Sequence, residues 1–228
     1  MHDGLLVLVW AVIFAGGLAV CLWLAGRGLP RTSVRDLLHV GAGVWPLGWG
    51  MWHSPWPPVA VALTGCALLA AVPVLAPRLE SARALERAVS GDGEAWSGLV
   101  LYAFSAAAWT AVGLLGGSPF PAAAGLLALA LGDGLGGLVG RRWGRLHYRV
   151  PWAKTKSVTG SVVVFVCAAF ATDLAGGLFG VPLDGGRVLL AGLVAAVAEA
   201  LAPRATDNVL VPLAVWLVTG GLERAGAP

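Results

Sequence analysis

Residues 132–161 read GDGLGGLVGRRWGRLHYRVPWAKTKSVTGS, and their placement decides the fold. Asp133 stands inside an apolar run, six basic residues follow between Arg141 and Lys156, and the stretch closes on Lys156-Ser157 and Gly160-Ser161. On either side the chain carries almost no charge over the length of a membrane crossing. The segment therefore reads as the end of one transmembrane helix, a polar loop and the start of the next.

The rest of the chain extends this pattern. Of its 228 residues, 58% are hydrophobic and only 12% charged, with 11 Trp and 33 Gly, which excludes an ordinary soluble domain and indicates an integral membrane protein. Runs with little or no charge cover 4–26, 37–77, 95–132, 157–183, 188–203 and 208–222. A crossing takes about 20 apolar residues, so the two longest runs each hold two helices. They break at HSPWPP (53–58) and GGSPFP (116–121), where Pro and Gly end helices. The expected fold is an all-α integral membrane protein, a single polytopic domain over 1–228. About eight transmembrane helices are expected, near 4–25, 37–52, 57–76, 96–115, 121–140, 158–179, 187–203 and 207–222.

Charge sets the expected orientation. Of the 15 Lys and Arg, 13 fall in loops on one side of this arrangement, leaving only Arg187 and Arg224 on the other. By the positive-inside tendency the populated side is cytoplasmic, so both termini lie outside and the 132–161 loop faces the cytoplasm. A bacterial inner membrane is the expected location. Met-His-Asp-Gly precedes the first apolar run without a basic leader and Arg27 follows it, which reads as an uncleaved helix. Cys21, Cys66 and Cys167 are scattered through apolar spans, and no Cys/His cluster suggests zinc or redox chemistry. The net charge of +3 follows from topology and implies no nucleic-acid partner.

Ionisable groups at membrane depth are costly and mark candidate sites. Asp133 in the fifth helix, Glu199 near the end of the seventh, Asp207 and Asn208 opening the eighth, and His39 in the second all fall toward the basic side. Asp173 and Asp184 fall toward the other. Gly132, Gly136 and Gly140 form a bare stripe suited to close helix packing, whereas Asp133, Gly137 and Arg141 share another face, where an acid, a gap and a cation can seat a metal-bound phosphate. The GxGxxG at 132–137 lacks a preceding strand, which excludes a Rossmann site. Ser157 can cap the sixth helix while Lys156 and nearby amides hold phosphate. Arg145 and Arg149 read better as anchors to anionic headgroups. Asp207 and Asn208 read either as a helix start or as oxygen ligands to Mg²⁺.

The ordered set Gly132-Asp133-Gly134, Gly137, Gly140-Arg141-Arg142, Lys156-Ser157, Gly160-Ser161, Glu199-Ala200-Leu201, and Asp207-Asn208 with Pro212 resembles the polyprenol kinases of the phytol kinase and dolichol kinase group. Arg35 with His39, and Gly98 with Tyr102, are fainter echoes. The resemblance implies N-terminal helices over 4–94 and a kinase-like core over 95–222. It implies transfer of the γ-phosphoryl group of a nucleoside triphosphate, CTP in this family, to a lipid alcohol such as phytol, farnesol, geranylgeraniol or a polyprenol. Mg²⁺ or Mn²⁺ would be held by Asp133, Glu199, Asp207 and Asn208. Phosphates would be held by Arg141, Arg142, Lys156, Ser157, Gly160 and Ser161, and Asp133, His39 and Lys156 would serve the chemistry.

Two positions depart from the family pattern: Thr159 replaces a Glu, and Asp36 replaces the usual Lys. Glu199 is the expected substitute for the missing acid. A phosphatidate cytidylyltransferase-like enzyme is the second reading, although the C-terminal signature of that family is missing. A transporter using Asp133 and Glu199 as an ion path is the third. Oligomeric state is left open.

Overall fold

A computed structural model describes residues 2–89, 93–152 and 155–220. The order is α1 (His2–Gly26), α2 (Arg31–Gly43), a 3₁₀ turn (Trp45–Met51), α3 (Trp56–Leu75), α4 (Glu80–Val89), α5 (Gly93–Leu115), α6 (Pro119–Trp143), β1 (His147–Arg149), β2 (Thr155–Ser157), α7 (Val158–Leu178), α8 (Gly185–Leu201) and α9 (Asp207–Val218). Lys154, Arg224 and the end of the expected last helix lie outside the described residues. Among the described residues the fold is all-α apart from one small antiparallel hairpin, in which Tyr148 faces Lys156.

Among the described residues five helices, α1, α3, α5, α6 and α7, are long and apolar enough to cross a membrane. The chain is a multi-pass membrane protein. The expected second helix, 37–52, differs from what forms. Pro46 has no N–H to continue an α-helical ladder, so the chain tightens into the 3₁₀ turn after Gly43. The helix also starts earlier than expected, at Arg31, because its charged residues face a polar cavity rather than lipid. Helix and turn together still rise about 34 Å, close to the roughly 37 Å of α1. Arg31 is therefore at the cavity end of the molecule while His53, just past the turn, meets Asp3 at the other end.

α4 was expected as loop. Its apolar residues Ala82, Leu85, Ala88 and Val89 recur on one helical face and are buried, while Arg87 is exposed. Arg83 donates to the carbonyls of Ala76 and Pro77, satisfying the open C-terminus of α3. α8 and α9 are short, 17 and 12 residues.

α6 is the centre of the bundle. Ala122, Ala123, Ala124, Ala128 and Ala130 are fully buried, and small residues on α7 and α8, Ala168, Ala171, Ala191 and Ala195, meet the same core. Such side chains let helix axes approach closely, where packing rather than water exclusion drives association in lipid. The glycine stripe serves this contact. A Cβ at Gly136 would sit 2.5 Å from Val164 Cγ2 and 3.1 Å from the Gly160 carbonyl oxygen. One at Gly140 would sit 2.6 Å from Ser157 Oγ. The close packing carries α7, and with it Ser157 and Ser161, against the charged end of α6.

Candidate active site

The charged ends of α2, α6, α8 and α9 and the hairpin surround a cavity of about 700 Å³. Asp133, Glu199 and Asp207 come from three different helices, yet each offers a carboxylate oxygen within 4.8 Å of the others. Three like charges this close repel unless a cation lies among them. One cation is already supplied: the Lys156 ammonium, carried by β2, pairs with Glu199 Oε1 and lies 3.3 Å from the Glu199 backbone oxygen. Burial works against the charged Lys156, but the Glu199 carboxylate, with Asp133 and Asp207 beyond it, outweighs burial and holds its pKa above the ordinary lysine value.

Asn208 sits beside Asp207 at the start of α9. Its side-chain N–H donates to the Ala205 oxygen at 2.8 Å, and its backbone N–H donates to Asp207 Oδ1 at 2.9 Å. Asn208 Oδ1 is buried and accepts no hydrogen bond from the described residues. A buried amide oxygen left over beside converging carboxylates is the donor set that a hard divalent cation takes, so the residues fit Mg²⁺ or Mn²⁺.

His39 approaches from α2. Its Nε2 lies 3.8 Å from Asp133 Oδ2 and has no hydrogen-bond partner among the described residues, while the ring packs on Tyr102 at 3.8 Å between centroids. Tyr102 in turn donates to the His39 carbonyl at 2.8 Å, fixing α2 to α5. Arg141 lines the cavity and pairs with Asp36. Ser157 caps α7 by accepting from the Gly160 N–H at 3.0 Å, and Ser161 hydrogen-bonds the Tyr148 hydroxyl at 2.6 Å. The Gly160 amide is thus engaged, and the cationic side chains lining the cavity are Arg31, Arg35, Arg141, Lys156 and Arg204.

The cavity thus gathers Asp133, His39, Lys156, Arg141, Ser157, Gly160, Ser161, Glu199, Asp207 and Asn208. Arg142 is the exception. Its guanidinium lies over the Trp143 ring, 5.4 Å from the centroid, and it does not line the cavity. Thr159 also points elsewhere, into a shallow apolar groove with Val158, Val162 and Val163 on the outer face of α7. Thr159 is therefore outside the cavity in which Glu199 stands.

The sequence reading missed Arg31, Thr32 and Arg204 as cavity residues, and it gave Asp36 no role. A signal was present: Arg31, Arg35 and His39 recur every fourth residue, as do Thr32 and Asp36, which puts two polar rows on adjoining faces of α2.

No family model matches the chain. The phytol kinase of Synechocystis sp. is 31% identical to it over 200 residues, an alignment covering 83% of this chain and 78% of the relative. The chain belongs to the phytol kinase family. The two positions singled out in the sequence, Thr159 and Asp36, differ in their surroundings. Thr159 faces away from the cavity, whereas Asp36 sits in its wall and holds Arg141.

Proposed function

We propose that this chain is a membrane kinase that transfers the γ-phosphoryl group of a nucleoside triphosphate, with CTP as donor, to an isoprenoid alcohol of the phytol type. The observation that carries the reading is the convergence of Asp133, Glu199 and Asp207 beside Lys156 and Arg141 at one end of an apolar bundle, in a chain of the phytol kinase family. Mg²⁺ held by Asp133, Asp207 and Asn208, with Glu199 nearby, would supply neutralisation of the triphosphate charge.

The protein's own groups account for the rest. Lys156 and Arg141 hold phosphate oxygens, and Arg31, Arg35 and Arg204 make the cavity attractive to a polyanion. The alcohol oxygen forms a bond to the γ-phosphorus as the bond from that phosphorus to the bridging oxygen of CDP breaks. The hydroxyl proton passes to Asp133 or to His39, whose buried Nε2 has no hydrogen-bond partner among the described residues. The isoprenoid tail stays among the apolar helices, which places an insoluble substrate's hydroxyl where nucleotide can reach it.

Purified protein given CTP labelled at the γ-phosphorus and phytol should yield labelled lipid and CDP. Pyrophosphate release with phosphatidate as acceptor would replace the kinase reading with the cytidylyltransferase one. The proposed orientation puts the cavity in the cytoplasm. In a cysteine-free background, Arg145→Cys should then be modified by a membrane-impermeant maleimide only after the cytoplasm is exposed, and Arg187→Cys from outside. The reverse labelling would put the cavity on the wrong side for nucleotide.

A further inference from the structure

At the end of the bundle opposite the cavity, His2 and Asp3 at the start of α1 meet His53, which follows the 3₁₀ turn. Their ligand atoms lie within 4.8 Å of one another. The geometry points to a second metal site here, in which two imidazoles and one carboxylate bind a borderline divalent cation of the Zn²⁺ class.

Several observations converge on this site. A tetrahedral ion with ligands at about 2.0–2.1 Å separates its donor atoms by about 3.3 Å. Asp3 Oδ1 already lies 3.3 Å from His53 Nδ1 and 3.7 Å from His2 Nδ1, so two edges of such a tetrahedron are nearly formed. The two imidazole rings meet edge to face at 4.5 Å between centroids, and their donor atoms lie within 4.8 Å of each other, which bounds the third edge. Asp3 is held in place by the His53 backbone N–H, which donates to Oδ1 at 3.1 Å. Both histidine side chains are more than half exposed, leaving room for water to complete the coordination shell.

The donor set also separates this site from the cavity. Imidazole nitrogen favours Zn²⁺ and its transition-metal neighbours, whereas the oxygens of Asp133, Asp207 and Asn208 favour Mg²⁺. The partial positive charge of the α1 start opposes a cation, and the Asp3 carboxylate offsets it. A hydrogen bond between Asp3 and His53 alone would not require the second imidazole of His2. Bound metal would tie the start of α1 to the segment between the 3₁₀ turn and α3, above the packed rings of Trp10 and Trp45. The histidines are 51 positions apart in sequence, which is why no ligand motif announces them.

The test uses the full chain in detergent with Mg²⁺ in excess, titrated with Zn²⁺ in a calorimeter. The wild type should bind one equivalent of Zn²⁺ that Mg²⁺ does not displace, and His2→Gln/His53→Gln should lose it while keeping its melting temperature without zinc. Retention of that equivalent by the double variant, or no binding by the wild type, overturns the proposal. X-ray absorption on the zinc-loaded wild type gives a readout that needs no variant. Two imidazoles per zinc support the site, and an oxygen-only shell assigns the ion to the Asp133 cluster and refutes it.

Discussion

Asp133→Asn and Asp207→Asn are each expected to lower phosphoryl transfer by about 10² to 10³-fold, the usual loss when a group stabilising transition-state charge is removed. Neither should weaken the fold. Asp133, Glu199 and Asp207 present oxygens within 4.8 Å of one another, so neutralising one relieves repulsion between like charges, and melting temperature without metal should hold or rise. Activity therefore falls with no loss of stability, which separates a chemical role from a folding defect. Asp173→Asn and Asp184→Asn serve as comparisons. Asp173 is exposed on α7, about 18 Å along the helix from Ser161, and Asp184 caps α8 by accepting from the Arg187 N–H at 2.9 Å. Their rates should stay within about twofold of wild type. If Asp173→Asn folds and is as inactive as Asp133→Asn, the chemistry is not confined to the carboxylate cluster.

The site was more legible in the sequence than the helices that build it. Asp133, Lys156, Glu199 and Asp207 stand out because an acid or a cation beside a long apolar run has few reasons to be there. Their convergence follows once α6, α7, α8 and α9 pack through glycine and alanine. The contribution of α2 was harder to read. Charge at Arg31, Arg35 and Asp36 looked like the end of a loop, since hydropathy cannot distinguish a residue facing solvent from one facing a polar cavity. For the same reason the break at Pro46 is hard to read: a composite of helix and 3₁₀ turn has the same apolar composition as a straight span. Direction around a helix axis was the other weak point. Arg142 and Thr159 sit next to cavity residues in sequence, yet one lies over Trp143 and the other faces the outer groove. Each successive residue turns about 100° around a helix, so neighbours in a motif need not share a site.

Lys156 and Glu199 permit a sharper test, because their pairing has a structural explanation that competes with the chemical one. Lys156→Met leaves Glu199, Asp133 and Asp207 close together with no ammonium among them, whereas Glu199→Leu leaves Lys156 still facing two acids. The two single variants should therefore differ. Lys156→Met is expected to cost about 3 kcal/mol, the low end of the range for breaking a buried pair because 22% of the Lys156 side chain meets solvent, and Glu199→Leu should cost less. In Lys156→Met/Glu199→Leu both partners are gone and most of the lost stability should return, since an apolar pair of similar volume commonly replaces a buried ion pair without penalty. Stability is read by unfolding in sodium dodecyl sulfate, and transfer by labelled phosphate in the lipid phase. If Lys156 holds phosphate, the double variant regains its fold while transfer remains as low as in Lys156→Met. Recovery of transfer together with stability would make the pair a strut between the hairpin and α8, and Lys156 would then have no part in holding phosphate.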